Sequence, residues 1–351
     1  MAPIIDVIKK RKHEHIVVHT GQHYDKTMSD LFLDELNICC HKNLNVGSGT
    51  HGYQTGLMLL EIEKLLMEND VDILLVPGDT NSALAGALSA VKMHIPVAHI
   101  EAGLRSFDRK MPEEINRILI DHCSDFLFCP TETSVNNLSN EGIDKKKIFL
   151  VGDTMVEACT YFANVVQNKS IILENYDIKE EYFLATIHRA ENTDDKCKLK
   201  NIIEALLNAD SQIVLPLHPR TRSRLEKFEL LDKVTDSVNI LAIEPVGYTD
   251  FLNLLKNAKL VLTDSGGVQK EAFLLKTPCI TLRENTEWVE TLDSGWNILV
   301  GTDKEKISEA ILLMQKSELN KYENPFGDGT ASEKIVDILE NSVNIKKANK
   351  S

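Results

Sequence analysis

Residues 260–271 read LVLTDSGGVQKE: four apolar or β-branched residues, then Asp-Ser-Gly-Gly, then a stretch of helical composition. The apolar run predicts a buried strand. Ser265 is a good N-cap, and Gly266 and Gly267 let backbone N–H groups approach a ligand with no Cβ in the way. The helix that follows presents the positive end of its dipole, so the junction suits a phosphate. An ordinary capped helix behind a tight turn is the competing reading, because a short glycine-rich loop is weak evidence alone.

The same strand-to-helix alternation runs outward in both directions. Short apolar runs at residues 16–19, 73–76, 97–100, 126–129 and 148–151 alternate with amphipathic stretches such as 55–68 and 83–92. A second series follows at 183–187, 213–217, 240–243, 260–263, 279–282 and 298–300. This pattern predicts an α/β fold of two Rossmann-like, doubly wound parallel-sheet domains facing across a cleft. Continuous rather than alternating hydrophobicity within the strands predicts burial on both faces. A polar stretch near residues 167–181 marks the break, giving domains at 1–168 and 169–330 and a C-terminal segment at 331–351. The length of 351 residues, 43% of them hydrophobic, suits two cores rather than one.

A net charge of −14 argues against a nucleic-acid partner, since phosphate backbones select basic surfaces. Seven scattered cysteines with no C-x-x-C read as a reduced cytosolic protein, and no metal site is expected. No apolar stretch approaches the length of a membrane span.

In a doubly wound sheet, ligands bind beyond the carboxyl ends of the strands. Those ends are polar here: GDTN at 78–81, EAGLRS at 101–106, HRAEN at 188–192, HPRT at 218–221, DSGG at 264–267 and RENTEW at 283–288. Asp79 and Glu101 end neighbouring strands, and Glu113 opens the helix PEEINR. Carboxylates sharing one pocket raise a pKa by mutual repulsion, which poises a general acid or base. Helix capping competes for Asp79, and dipole complementation for Glu113 and Glu114. His188, with Arg189 and Glu191 after it, could complete an acid–base set. Glu271 could reach ribose hydroxyls or be a solvated helix residue. GSGTHG (residues 47–52) satisfies G-x-G-x-x-G, but it does not follow the first strand of its domain. The acid about 20 residues on, Asp72, precedes a strand, so a nicotinamide cofactor is not expected.

Together GQHYD, GDTN, HIEAGLRS, PEEINR, HRAEN, HPR, TDSGGVQKEA and NPFGDGTAS occur in the order of the non-hydrolysing UDP-N-acetylglucosamine 2-epimerases, and the chain resembles that family from residue 1 to about residue 340. The resemblance implies a GT-B-like fold with a C-terminal helix crossing back to the first domain. It implies a cytoplasmic enzyme, commonly a homodimer, that interconverts UDP-GlcNAc and UDP-ManNAc without a cofactor. It assigns Asp79, Glu101, Glu113 and His188 to catalysis. Ser265, Gly266 and Gly267 match the diphosphate cradle, Glu271 the ribose contact, and Arg283 and His218 further substrate contacts. Gln22, His23, Arg189 and His218 match positions of an activator site in bacterial members, while Asp25 stands where regulated members have glutamine.

Two departures from the family pattern stand out. Relatives open with a strand and a G-x-R-P-x-x-I-K loop before the segment matched by MAPIIDVIKK, so the resemblance implies about twenty further residues, a strand and a phosphate loop, ahead of Met1. Trp288–Val289 replace an Arg-Pro pair, as in relatives that epimerise UDP-2,3-diacetamido-glucuronate; Trp288 is open to a core reading as well. A GT-B glycosyltransferase would share the architecture, but no E-x7-E spacing occurs. A non-catalytic UDP-sugar sensor is the remaining alternative.

Overall fold

The computed structural model describes residues 1–21, 38–176, 178–316 and 323–348. Each apolar run becomes a strand: β1 (Val18–His19), β2 (Lys42–Asn43), β3 (Leu74–Pro77), β4 (Val97–Ile100), β5 (Phe126–Cys129), β6 (Ile148–Leu150), β7 (Tyr182–Thr186), β8 (Gln212–Pro216), β9 (Ile240–Ile243), β10 (Leu260–Thr263), β11 (Cys279–Thr281) and β12 (Asn297–Leu299). The very short β2 was not foreseen, because Lys42–Asn43 has no apolar character. All pairings among the described strands are parallel.

The chain divides into two units, Met1–Ala158 with Pro325–Ser351, and Cys159–Asn324. The division falls inside the helix Thr154–Lys169 rather than after residue 168. Hydrogen bonds explain the shift. Asp153 N donates to Phe326 O at 2.8 Å, and Glu157 accepts from Ser332 N at 2.8 Å and from the Ser332 hydroxyl. The first turn of that helix is therefore tied to the returning segment.

In the first unit β3-β4-β5-β6 form one sheet, and β1-β2 pair separately. Strand β4 is buried along its whole length. Val97 joins a core with Met58, Ala85 and Ile120, while Ala98 and Ile100 face Ile4, Phe128, Ile335 and Val336. The terminal helices Ala2–Lys10 and Ala331–Ala348 thus share this unit's core, and Arg11 clasps Asp337 at 2.5 Å and Glu340 at 2.8 Å across them. Gly103 adopts φ +80°, and a Cβ there would lie 2.4 Å from the Ser134 carbonyl oxygen. Gly103→Ala is expected to cost roughly 3 kcal/mol or more, read as a lowered denaturant midpoint at unchanged slope.

The second unit has the strand order β12-β11-β10-β7-β8-β9. This is the Rossmann order, in which the chain reverses direction between β7 and β10 and leaves a crevice at their carboxyl ends. Successive β7 residues alternate faces, Phe183 and Ala185 into one core with Ile202 and Leu215, Tyr182 and Leu184 into another with Val214 and Leu254. Each such buried aliphatic or aromatic side chain contributes about 1.5–3 kcal/mol. Among the described residues no helix is long and apolar enough to cross a membrane.

Candidate functional site

In the first unit the ends of β3 and β4 carry the acids. Pro77 pairs with Ile100 and Gly78 N donates to Ile100 O at 3.0 Å, so Asp79 and Glu101 leave adjacent strands at the same edge. Thr80, not Asp79, caps the next helix by accepting from Ala83 N. Asp79 Oδ2 is instead gripped by Arg117, from Nε at 2.9 Å and from the second terminal nitrogen at 2.7 Å. Asn116 Nδ2 donates to the Asp79 carbonyl at 2.8 Å. Both partners lie on the helix Pro112–Cys123, which also carries Glu113. Glu101 has φ +68°, the left-handed region that a non-glycine residue adopts only under constraint. Gly78, beside its carboxylate, has φ +63°, a conformation that L side chains rarely adopt.

The neighbouring pair Glu113–Glu114 divides its tasks. Glu114 is buried and accepts from Ser106 N (2.9 Å), Ser106 Oγ (3.0 Å), Phe107 N (2.9 Å) and Arg117 (2.8 Å). Burial works to raise its pKa, but the Ser106 bonds and the Arg117 cation outweigh that and hold it below the usual carboxylate range. Glu114 is thus committed to structure, and Glu113 is left half-buried beside it.

In the second unit Asp264 organises the crevice between β7 and β10. Fully buried, it accepts from His188 N (3.1 Å), Arg189 N (3.1 Å) and Asn192 Nδ2 (3.1 Å). Its Oδ1 also lies 3.5 Å from His188 Nδ1. Partial burial of the His188 ring lowers its pKa; Asp264 opposes this, and the Arg189 and Arg220 cations add to the lowering. The net direction is downward, toward a neutral imidazole able to accept a proton. The His218 ring lies 5.6 Å from that of His188 and caps the helix Pro219–Lys227, its Nδ1 accepting from Arg220 N at 3.1 Å.

One residue beyond Asp264, Ser265 Oγ accepts from Val268 N and caps the helix Gly266–Leu275. A Cβ on Gly266 would lie 2.3 Å from Glu287 Oε1, and Glu287 Oε2 lies 3.0 Å from Arg283. Arg283 thus reaches the helix N-terminus by way of a carboxylate. Trp288 is buried, with Lys270 Nζ 3.9 Å from its ring centroid, which supports the core role open to it in the sequence. Glu271 is buried rather than solvated. Burial pushes its pKa up to about 7 against the lowering effects of a Tyr248 hydroxyl hydrogen bond and the Lys270 cation. Gln22 and His23 lie outside the described residues. Among the described residues no group of three or more His, Cys, Asp and Glu side chains is placed to hold a metal ion.

A family model described as UDP-N-acetylglucosamine 2-epimerase matches residues 6–340. The chain belongs to the UDP-N-acetylglucosamine 2-epimerase family. It is 53% identical over 344 residues to a UDP-N-acetylglucosamine 2-epimerase homolog of Methanococcus maripaludis, covering 97% of this chain and 96% of that one. It is 52% identical over 347 residues to the UDP-N-acetylglucosamine 2-epimerase of Methanocaldococcus jannaschii, covering 97% and 94%. The crystal structure of the M. jannaschii UDP-GlcNAc 2-epimerase in complex with UDP-GlcNAc and UDP matches with a TM-score of 0.93 at 50% identity, over 97% of this chain and 95% of that one. The two Rossmann-like units are those of the GT-B architecture, as the motif order implied.

Several residues that hold the candidate side chains in each unit carry no assignment from the sequence. Arg117 follows Glu114 by one helical turn in PEEINR, a spacing that does flag an ion pair. Asp264 follows a central strand and stands beside a capped glycine turn, a placement that marks it in the sequence as an organising acid. Tyr248 acts on Glu271 from a helix distant in sequence, which no local pattern marks, whereas Glu287 stands four residues after Arg283 in the RENTEW loop.

Proposed function

We propose that the protein interconverts UDP-GlcNAc and UDP-ManNAc by eliminating UDP and adding it back. C2 of the sugar is not adjacent to a carbonyl, so direct loss of its proton is unfavourable. Breaking the C1–O bond sends that electron pair to the diphosphate. Removal of the C2 proton by a base then supplies the electrons of a C1=C2 bond, giving 2-acetamidoglucal. Re-addition reverses both steps with the proton delivered to the opposite face of C2. Inversion therefore requires acid–base groups serving both faces.

Asp79, Glu101, Glu113 and His188 form this set in the proposal. Ser265, Gly266 and Gly267 hold the diphosphate at the helix N-terminus, Glu271 takes the ribose hydroxyls, and Arg283 and His218 complete the substrate contacts. The observation that carries the reading is the Asp264 clasp: it fixes a candidate base, His188, to the turn that would hold the leaving group. Arg189 and His218, with Gln22 and His23, are proposed to take a second nucleotide-sugar as activator. A cytoplasmic homodimer serving polysaccharide synthesis is the setting that the family resemblance implies.

The test is exchange at C2. Incubated with UDP-GlcNAc in deuterated water, the full-length protein is expected to incorporate deuterium at C2 and to form UDP-ManNAc, followed by proton NMR. Exchange confined to UDP-2,3-diacetamido-glucuronate would overturn the substrate, and UDP binding with no exchange on any of these sugars would overturn the reaction.

A further inference from the structure

His99 on β4 and Asp121 in the helix Pro112–Cys123 are each 1% exposed and lie behind the strand ends rather than at them. His99 Nδ1 is 2.7 Å from Asp121 Oδ1, and His99 Nε2 is 2.9 Å from the Gly78 carbonyl oxygen. A carbonyl oxygen can only accept. Asp121 can only accept as well, because although burial raises its pKa, His99 and Arg105 bring it below the ordinary value and keep it ionised. The ring thus bridges two acceptors, the Asp121 carboxylate and the Gly78 carbonyl. A buried carboxylate persists where its charge is balanced. Here Arg105 closes the balance, donating to Asp121 Oδ2 at 2.7 Å and to Glu141 through two bonds of 2.7 Å.

The same carboxylate accepts from Gly103 N at 3.2 Å. Asp121 thus holds the chain two residues before Glu101, through His99, and two residues after it, through Gly103. Through the far side of the imidazole it also fixes the carbonyl of Gly78, the residue before Asp79. The left-handed φ of Glu101 lies between these anchors, which is how a conformation costing about 1–2 kcal/mol is maintained.

From this geometry we infer that His99 and Asp121 are a positioning pair that sets the turns presenting Asp79 and Glu101, so that it governs turnover and not nucleotide binding. The inference rests on the assignment of Asp79 and Glu101 to the reaction. It predicts that the ring's contact with Gly78 is what turnover depends on.

Two substitutions separate the contacts. Glutamine places its amide nitrogen near the position of Nε2, and asparagine near that of Nδ1. His99→Gln keeps the donor to Gly78 and loses the one to Asp121; His99→Asn does the reverse. His99→Asn is expected to lower kcat roughly 100-fold, the scale of an ångström-sized misplacement of reacting groups, with KM and UDP affinity unchanged. His99→Gln is expected to restore most of that loss. Equal losses in the two variants, or a loss expressed in KM, would overturn the inference. So would a His99→Gln protein that folds but is as slow as His99→Ala, which decides the matter if the asparagine variant does not fold.

A measurement on the unaltered protein is independent of folding. With 15N-labelled histidine, the His99 Nε2 proton is expected to be seen and protected from solvent exchange by its bond to the Gly78 carbonyl, and an Nε2 without that proton would sink the proposal. Asp79→Asn and Glu101→Gln are run beside these. If both keep wild-type kcat, the underlying assignment fails; if both lose it while His99→Asn does not, only the positioning role fails.

Discussion

Replacing Asp79 by asparagine is expected to lower kcat by about 100- to 10,000-fold, the range that a positioned acid–base group supplies. UDP affinity should not change, because the proposed nucleotide contacts belong to the second unit. The substitution preserves side-chain shape while removing the charge that Arg117 grips through two nitrogens. Arg117 is buried and would retain Glu114 at 2.8 Å, so the fold should survive with a loss of about 1–3 kcal/mol. Steady-state kinetics normalised to folded protein, with calorimetric titration of UDP, distinguishes the two effects. A variant that turns over at the wild-type rate would remove Asp79 from the reaction.

The second large effect concerns Glu271. Ribose hydroxyls donate hydrogen bonds best to an ionised carboxylate, and this one holds its proton up to about pH 7. UDP affinity is accordingly expected to fall roughly tenfold between pH 8 and pH 6, one pH unit below that pKa. In Glu271→Gln this component should vanish, with affinity lower at pH 8. The phosphate's own ionisation near pH 6 is common to both proteins and cancels in their ratio. Stability has the opposite sense for the ligand-free protein. The unfolded carboxyl ionises at its ordinary value of 4.5 and the folded one at about 7, so the native state binds more protons between them. Stability therefore declines as pH rises from 4.5 to 7, by on the order of 3 kcal/mol, and that slope should be absent in Glu271→Gln. A pH-independent affinity ratio between the two proteins would refute the carboxylate's role.

Much of this was legible because a parallel sheet buried on both faces writes its strands as unbroken apolar runs. β4, β5, β9 and β10 were bounded correctly for that reason, and the ends of the rest shifted by a residue or two. Helix starts were read late: the stretch predicted from residue 83 begins at Asn81, since first turns carry polar residues that break the apolar period. The candidate site residues were legible for a topological reason, as loops at the carboxyl ends of parallel strands are where a ligand can sit. What stayed hidden was the layer beneath. His99 is indistinguishable in sequence from any polar residue in a strand, and its partners Gly78 and Asp121 become its neighbours only on folding. Arg283 is assigned to the substrate by resemblance alone, and its pairing with Glu287 four residues on depends on how the RENTEW loop bends.

The Asp264 clasp has a consequence for timing. Under the proposed assignment, a nucleotide that shifts the turn at Ser265 would also shift the backbone at His188, because Asp264 accepts from His188 N and Arg189 N. Linkage is reciprocal, so any change that UDP makes in the proton affinity of the imidazole would be matched by the change that protonation makes in the affinity for UDP. On the same assignment, release of the leaving group and restoration of the base would be linked through Asp264.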